Sequence, residues 1–393
     1  MKNALIFSSS FSGHRQVYVF VLTHIIHKLG YKLFIAGNFS EKLNNTYYID
    51  KLSGYENIVR IDTTAYKGNG IHITNEEFRL LQKENNIELT VFAEADNHIQ
   101  LINSQLLNRK KKFQGRVVAI FLRPFYFYHK IKLIEKYWFV KSFTSRWEKD
   151  ARFFHELLNP HFKLLDVSLY IDDFFVSRHK NTKWLPDVFQ QYADQLVLFE
   201  EHPGQRIWMK RLDAFRSANV GRFFVLYFGT AQKRRGYDQL LKLAVKHNMC
   251  FIHCGLRNAD SQYEINVDEL RHELGSSNRL FETNEYITDP TCIEYFFKSV
   301  SHLILPYNNF FGSSGVMLQA LGYNIPVLVP DEGIMGYRVK KYKLGLTYDQ
   351  NSLESAFITF IKTPKESYEN SIEEYMKSQS SERLESVLTD TFK

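Results

Sequence analysis

Short apolar stretches alternate with helical stretches along the chain, and this alternation starts twice. The first series opens with an apolar stretch at residues 4–8, a loop of small residues (SSSFSGHR) and a helical stretch whose apolar residues recur every three to four positions. The second opens with FFVLYFG, residues 223–229, followed by a short loop and the helical stretch YDQLLKLAVKH. Strands that alternate with helices form parallel sheets, so the pattern predicts an α/β fold built in two halves.

The remaining strands are predicted from short apolar runs of the same kind. In the first half they lie at residues 32–37, 58–62, 89–93, 117–122 and 166–170. In the second half they lie at residues 249–255, 302–307 and 325–329, with further helices at 292–300 and 316–321. Each half therefore starts with a strand and a glycine-bearing loop, and continues as a strand–helix series.

Composition and length fit this picture. The chain has 393 residues, which is too many for one ordinary core and fits two domains. Its hydrophobic fraction of 44% is typical of a folded protein, and a net charge of +7 does not by itself indicate a nucleic-acid partner. Three cysteines argue against a disulfide framework and favour a reducing compartment. No stretch is apolar enough to span a bilayer or to act as a signal peptide, so we expect a cytoplasmic protein.

Basic residues follow the first strand of the second half. The strand ends at Gly229, the loop carries Lys233, Arg234 and Arg235, and Gly236 precedes a helix. Cations at the carboxyl end of a parallel strand, beside the positive end of a helix, suit a diphosphate. Arginine can also hold two phosphate oxygens at once. The alternative is a basic turn that is only solvated.

A turn of small residues, GSSG, lies ahead of another helix of that half. It includes Ser313, Ser314 and Gly315, whose backbone N–H groups and hydroxyls can face an anion. By itself such a turn is equally typical of a helix cap. Together with Arg235, which follows another strand of the same predicted sheet, the turn predicts a two-sided phosphate clamp.

The order of these motifs resembles the donor-binding domain of GT-B glycosyltransferases, in particular the large retaining group called family 4. The resemblance runs from Phe224 to about Tyr348. It comprises a strand that ends in Gly229, a basic residue six positions later, and then LILPY, the glycine turn, a helix with QA, a glycine and PV. It implies a GT-B fold in which two Rossmann-like domains face each other across a cleft.

The resemblance also implies how the chain divides and which residues bind the donor. Residues 1–210 would bind the acceptor, residues 221–370 would bind the nucleotide-sugar, and residues 371–393 would form a helix packing back on the first domain. The implied donor-binding residues are Gly13, Gly229, Lys233, Arg235, Ser313, Ser314, Gly315 and Gln319. The family usually carries two glutamates across the glycine turn and its helix, where this chain has Phe311 and Gln319, and an arginine where it has Thr230. Gln319 can hydrogen-bond hydroxyls but carries no charge.

Candidates for catalysis lie in the first half. The segment SFSGHR resembles the first glycine loop of the family, with Gly13 and His14 as the residues carried over. The segment FAEADNH places Glu94, Asp96 and an imidazole after a strand, where they can orient sugar hydroxyls or act as a base; a capped helix start is the alternative. Arg123 follows another strand. We take His14, Asp96 and Arg123 as the candidate catalytic residues.

The predicted activity is the transfer of a sugar from a nucleotide-sugar donor to a glycan or lipid-linked acceptor in cell-surface polysaccharide synthesis. The resemblance implies retention of configuration, no metal and no cofactor besides the donor. Lysines interleaved with aromatics in NRKKKF and YHKIKLIEKYWFVKSF suit peripheral contact with the anionic inner face of a membrane, or a helix with buried aromatics. We expect no nucleic-acid partner. The alternatives are a nucleotide-sugar epimerase of the same fold and a non-catalytic GT-B protein that binds a glycan or a partner.

Overall fold

The chain divides into two compact units. The computed structural model describes residues 1–8, 11, 14–39, 47–65, 73–98, 101–102, 113–122, 165–171, 173, 176, 181–197, 203–257, 261–308, 310, 313–349 and 351–393. Unit 1 comprises Met1–Leu198 and Ser378–Lys393, and unit 2 comprises Phe199–Lys377. The division expected from the sequence, at residues 210 and 221, lies inside unit 2.

Unit 1 contains a parallel sheet of seven strands in the order β3-β2-β1-β4-β5-β6-β7. The strands are β1 (Asn3–Phe7), β2 (Lys32–Gly37), β3 (Ile58–Asp62), β4 (Leu89–Phe92), β5 (Arg116–Phe121), β6 (Val167–Tyr170) and β7 (Thr182–Trp184). Helices of this unit are α1 (His14–Lys28), α2 (Tyr47–Lys51), α3 (Asn75–Glu84) and α4 (Phe189–Leu196). The strand order reverses between β1 and β4, which are direct neighbours. In open α/β sheets, ligands bind at such a switch point, outside the carboxyl ends of the strands.

Unit 2 repeats this order with six strands. They are β8 (Phe224–Phe228), β9 (Cys250–Cys254), β10 (Leu280–Glu282), β11 (Leu303–Ile304), β12 (Val327–Pro330) and β13 (Gly345–Tyr348). Parallel ladders join β10, β9 and β8, and separately β11, β12 and β13, while β11 lies beside β8. The spatial order is therefore β10-β9-β8-β11-β12-β13, with the switch point between β8 and β11.

The helices of unit 2 cover both faces of its strands. They are α5 (Ile207–Ser217), α6 (Tyr237–Lys246), α7 (Ser261–Ser276), α8 (Pro290–Lys298), α9 (Gly315–Gly322), α10 (Gly333–Tyr342), α11 (Leu353–Lys362) and α12 (Glu366–Ser378). Successive side chains of a strand point to opposite faces. Accordingly Leu226 of β8 joins one buried cluster, whereas Val225 and Tyr227 join another that includes residues of α6 and α11. The parallel α/β architecture predicted from the sequence is confirmed.

The last helix of the chain, α13 (Ser381–Phe392), packs on unit 1. Leu384, Leu388 and Phe392 are fully buried in the core of that unit. Lys28 of α1 pairs with Glu385 at 2.7 Å. The helix therefore returns the end of the chain to the first sheet. Within the described part of the chain, every helix is too short or too polar to cross a membrane.

Candidate functional site

The loop after β8 carries cations at the switch point of unit 2. Lys233–Arg235 form a 3-10 turn, and Gly236, at φ +69°, leads directly into α6. The Arg235 guanidinium lies against Gly229: a Cβ on that glycine would come within 2.7 Å of Arg235 Nη1. Lys233 and Arg234 are exposed and Arg235 is half-buried. Among the described residues, no carboxylate forms an ion pair with any of the three cations. Their positive charge is therefore not neutralised by the described part of the protein.

A second loop, after β11, is tied to the first by backbone contacts. Asn308 donates its N–H to the Arg234 carbonyl at 2.8 Å. A Cβ on Gly236 would lie only 2.3 Å from the carbonyl oxygen of Pro306, so the two backbones meet at a point where no side chain fits. The two loops that flank the switch point therefore hold each other in place.

The start of α9 belongs to the same group of residues. Ser314 is its N-cap: the hydroxyl accepts the Met317 N–H at 3.2 Å. Tyr307 is buried and shares a hydrogen bond with Ser314. Burial raises the pKa of the Tyr307 hydroxyl, while the positive charge of Arg235 acts to lower it. The charge of Arg235 therefore acts on Tyr307, whose side chain also contacts the N-cap of α9. The structure brings the basic loop and the serine turn around one tyrosine.

The remaining donor-site candidates of this turn surround that cap. Gly315 is the first residue of α9 and is exposed, and the first N–H groups of a helix have no partner within it. Ser313 is half-buried, as is Gln319, which lies on the second turn of α9. Phe311 lies outside the described residues. Uncompensated cations beside the N-termini of α6 and α9 can bind an anion.

The switch point of unit 1 is built around a buried carboxylate. Glu94 follows β4 and is 3% exposed. Its Oε1 accepts the Ser8 hydroxyl at 3.0 Å, and its Oε2 accepts Arg15 Nε at 2.6 Å and Asn97 Nδ2 at 2.7 Å. Burial raises the pKa of Glu94 to about 7, although Arg15 acts to lower it. One carboxylate therefore joins the loop after β1, the start of α1 and the turn after β4.

Asp96 and His98 lie beside Glu94 with structural contacts of their own. Asp96 Oδ2 accepts the Leu122 N–H at 2.6 Å, which fixes the end of β5. The His98 ring is buried against Phe7, with ring centroids 4.7 Å apart. The sequence analysis took Asp96, and not its neighbour Glu94, as a catalytic candidate. A catalytic role of Asp96 stays a prediction.

The structure describes only some of the other predicted site residues. His14 begins α1, whereas the sequence assigned it to the loop SSSFSGHR; its side chain is not among the described ones. Gly13 and Arg123 lie outside the described residues, as do almost all of the two lysine-rich aromatic stretches. In the described ranges, no group of three or more His, Cys, Asp or Glu side chains is arranged to hold a metal ion.

Solved structures share the fold of the whole chain. HepE from Anabaena in complex with UDP matches with a TM-score of 0.60 and 14% identity, over 100% of this chain and 98% of that one. Sucrose-phosphate synthase from Thermosynechococcus elongatus matches with 0.61 and 11%, over 100% and 98%. The apo form of WaaB, a lipopolysaccharide outer core galactosyltransferase, matches with 0.60 and 12%, over 100% and 99%. HepE in complex with UDP-glucose also matches, with a TM-score of 0.57 and 12% identity.

These matches define the class of fold. The chain has the GT-B fold, built from two Rossmann-like units, as the sequence predicted. Identities of 11–14% establish the fold alone. No protein-family model matches the sequence, and no curated protein matches it either.

Proposed function

We propose that this chain is a glycosyltransferase that moves a sugar from a nucleoside-diphosphate donor to a hydroxyl of a glycan or lipid-linked acceptor. The observation that carries the proposal is the uncompensated positive charge at the switch point of unit 2. Arg235 lies there against Gly229, two residues before α6, and its charge acts on Tyr307, which contacts the N-cap of α9. An anion at this position is the simplest reason for a fold to concentrate such charge there. The UDP and UDP-glucose in the HepE structures support a nucleotide-sugar as that anion.

The proposed role of this site is to stabilise the leaving group. During transfer, the bond between the sugar C1 and the β-phosphate oxygen breaks, and its electron pair stays on the nucleoside diphosphate. The acceptor oxygen forms the new bond to C1 and gives up its proton. Arg235, Lys233 and the first N–H groups of α9 would stabilise the negative charge that develops on the diphosphate. Charges already fixed by the two loops need no rearrangement when the bond breaks.

The finer features of the proposal rest on the resemblance of the motifs. They are retention of configuration, a hexosyl-type donor, a reaction without a metal ion, and a place in cell-surface polysaccharide synthesis. The name of WaaB, a lipopolysaccharide outer core galactosyltransferase, supports an acceptor of this kind. Peripheral contact with an anionic membrane through the lysine-rich aromatic stretches belongs to the same proposal.

Titration calorimetry with UDP, GDP and ADP tests the donor site. We expect one of the three to bind, and Arg235→Ala to weaken its binding about 10- to 100-fold, the loss expected for a charge-assisted hydrogen bond. Arg222→Ala is the matched control. Arg222 is exposed just before β8, at the end of the strand opposite the basic loop, where it donates to Asn248. The control therefore removes the same charge from the other end of the strand.

Two results would overturn the proposal. One is that the wild-type chain binds none of the three nucleotides. The other is that Arg235→Ala and Arg222→Ala affect binding equally, because the positive charge would then act only at long range.

A non-catalytic GT-B protein is the second candidate, and one residue favours it. On α9, where the resembling family has a glutamate, this chain has the half-buried Gln319, which carries no charge. To separate the candidates, the protein is incubated with a nucleotide-sugar that carries the base found to bind. Release of the nucleoside diphosphate, with transfer or hydrolysis of the sugar, supports the enzyme. Recovery of an altered sugar still joined to its nucleotide would identify an epimerase, and tight binding without turnover would support the non-catalytic protein.

A further inference from the structure

We propose that His253 and Glu282 are positioning residues that fix the diphosphate-binding loop of unit 2. This inference rests on the proposed function and deepens it. The loop runs from Gly229, at the end of β8, to Tyr237, at the start of α6, and it carries Lys233 and Arg235. The resemblance of the sequence motifs draws on neither His253 nor Glu282.

His253 is hydrogen-bonded to the first residue of that loop. It lies in β9, beside β8, and is 0% exposed. Its Nε2 is 3.1 Å from the carbonyl oxygen of Gly229. A carbonyl oxygen can only accept, so Nε2 must carry a hydrogen and donate it. The bond fixes the orientation of the peptide group of the glycine on which the Arg235 guanidinium lies.

Glu282 holds the last residue of the loop and lies beside the other ring nitrogen of His253. Its Oε1 accepts the Tyr237 hydroxyl at 3.3 Å and lies 3.5 Å from His253 Nδ1. Its Oε2 accepts Arg271 at 2.8 Å and Arg257 at 2.6 Å. Burial acts to raise the pKa of Glu282, but these donors outweigh it and lower the pKa to about 2. Glu282 is therefore a permanent acceptor at neutral pH.

The two contacts hold both ends of the basic loop with one buried network. His253 holds the entry at Gly229, and Glu282 holds the exit at Tyr237. Both ends of the loop that carries Arg235 are therefore fixed before a ligand binds, and a loop fixed in advance binds with a smaller loss of entropy. Because His253 acts through the Gly229 carbonyl, it need not touch the ligand itself.

Calorimetry with four probes, UDP, GDP, ADP and inorganic pyrophosphate, tests the inference. His253→Phe keeps an aromatic ring of similar volume and removes both nitrogens. His253→Gln keeps an N–H donor that can reach toward Gly229. His302→Phe is the matched control, because His302 is also buried in unit 2 and its Nε2 lies 2.9 Å from the Thr363 carbonyl, at the opposite end of β11 from Pro306.

We expect His253→Phe to weaken both pyrophosphate and the nucleoside diphosphate that binds by about tenfold, the effect of one well-placed hydrogen bond. His253→Gln should recover most of that affinity, and His302→Phe should leave it within about twofold of the wild type. Recovery by glutamine is a result that a merely structural role would not give. If His253→Phe does not fold, His253→Asn replaces it, since its shorter amide does not reach the Gly229 carbonyl.

The outcomes distinguish the inference from the proposed function. If the wild type binds a nucleoside diphosphate but the His253 and His302 variants weaken it equally, or the His253 variants do not weaken it, the inference is wrong and the proposed function stands. If the wild type binds none of the four probes, the proposed function fails and the inference falls with it.

Discussion

Replacing Glu94 with glutamine should change how the stability of unit 1 depends on pH. Glu94 is buried, and its pKa lies at about 7 in the folded chain against an ordinary value of 4.5. The folded state therefore holds this proton more tightly than the unfolded chain does. Between pH 4.5 and 7 the folded chain binds more protons than the unfolded chain, so the free energy of unfolding falls as the pH rises.

The size of the effect follows from the two pKa values. They differ by about 2.5, and each pH unit is worth about 1.36 kcal/mol, so the wild type loses about 3 kcal/mol of stability between pH 4.5 and 7. Glutamine has nearly the shape of the protonated acid and does not titrate. We expect Glu94→Gln to match the wild type near pH 5 and to exceed its stability by up to about 3 kcal/mol at pH 8.

Urea titrations at pH 5, 6, 7 and 8 measure this difference. Pulse hydrogen–deuterium labelling of peptides that cover β1 and β4 reports on unit 1 separately. Glu88→Gln is the control, because Glu88 is exposed at the other end of β4. The stability of the Glu88→Gln variant should differ from that of the wild type by the same small amount at every pH. A constant difference between Glu94→Gln and the wild type across this range would refute the reasoning, as would a variant that is least stable at pH 8.

Two further predictions concern the backbone around the switch point of unit 2. Gly236→Ala should destabilise unit 2 by more than about 1 kcal/mol in urea unfolding and weaken nucleotide binding, because its Cβ would meet the Pro306 carbonyl and its φ is +69°; unchanged stability would contradict the close contact. Ser314→Ala should cost about 1 kcal/mol through loss of the α9 cap. Ser380→Ala removes the corresponding cap of α13. It should lower the stability measured by thermal melting by a similar amount but leave nucleotide binding intact. Equal effects of Ser314→Ala and Ser380→Ala on binding would argue against a role of the α9 terminus.

The sequence predicted five strands of unit 1 to within one residue at each end. The strands at residues 32–37 and 58–62 have the predicted ends, β4 and β6 differ by one residue at one end, and β5 is shifted by one residue at both ends. It did not predict β10, which is only three residues long and has one buried residue between two half-buried ones. Such a strand has little hydrophobic pattern of its own, because its place is set by pairing with β9.

For the site, too, the sequence predicted what depends on nearby residues and not the contacts between distant ones. The sequence placed Arg235 and Ser314 near each other because both follow strands of one predicted sheet. It could not show that Tyr307 connects them, or that His253 and Glu282 reach Gly229 and Tyr237, because those contacts join residues far apart in the chain. For the same reason, the sequence did not separate Glu94, which joins three segments, from Asp96, which fixes the end of β5.

The two units use one topology with opposite chemistry at the switch point. In unit 1 the carboxylate of Glu94 joins the loops after the neighbouring strands β1 and β4 and forms an ion pair with Arg15. In unit 2 the carboxylate Glu282 ends β10, two strands away from β8, and neutralises Arg257 and Arg271. Arg235 has no acidic partner among the described residues. Since the topology is shared, the difference comes from where each unit places its buried carboxylate. In the proposed function, the distance of that carboxylate from the switch point is what leaves the positive charge of unit 2 available to a diphosphate.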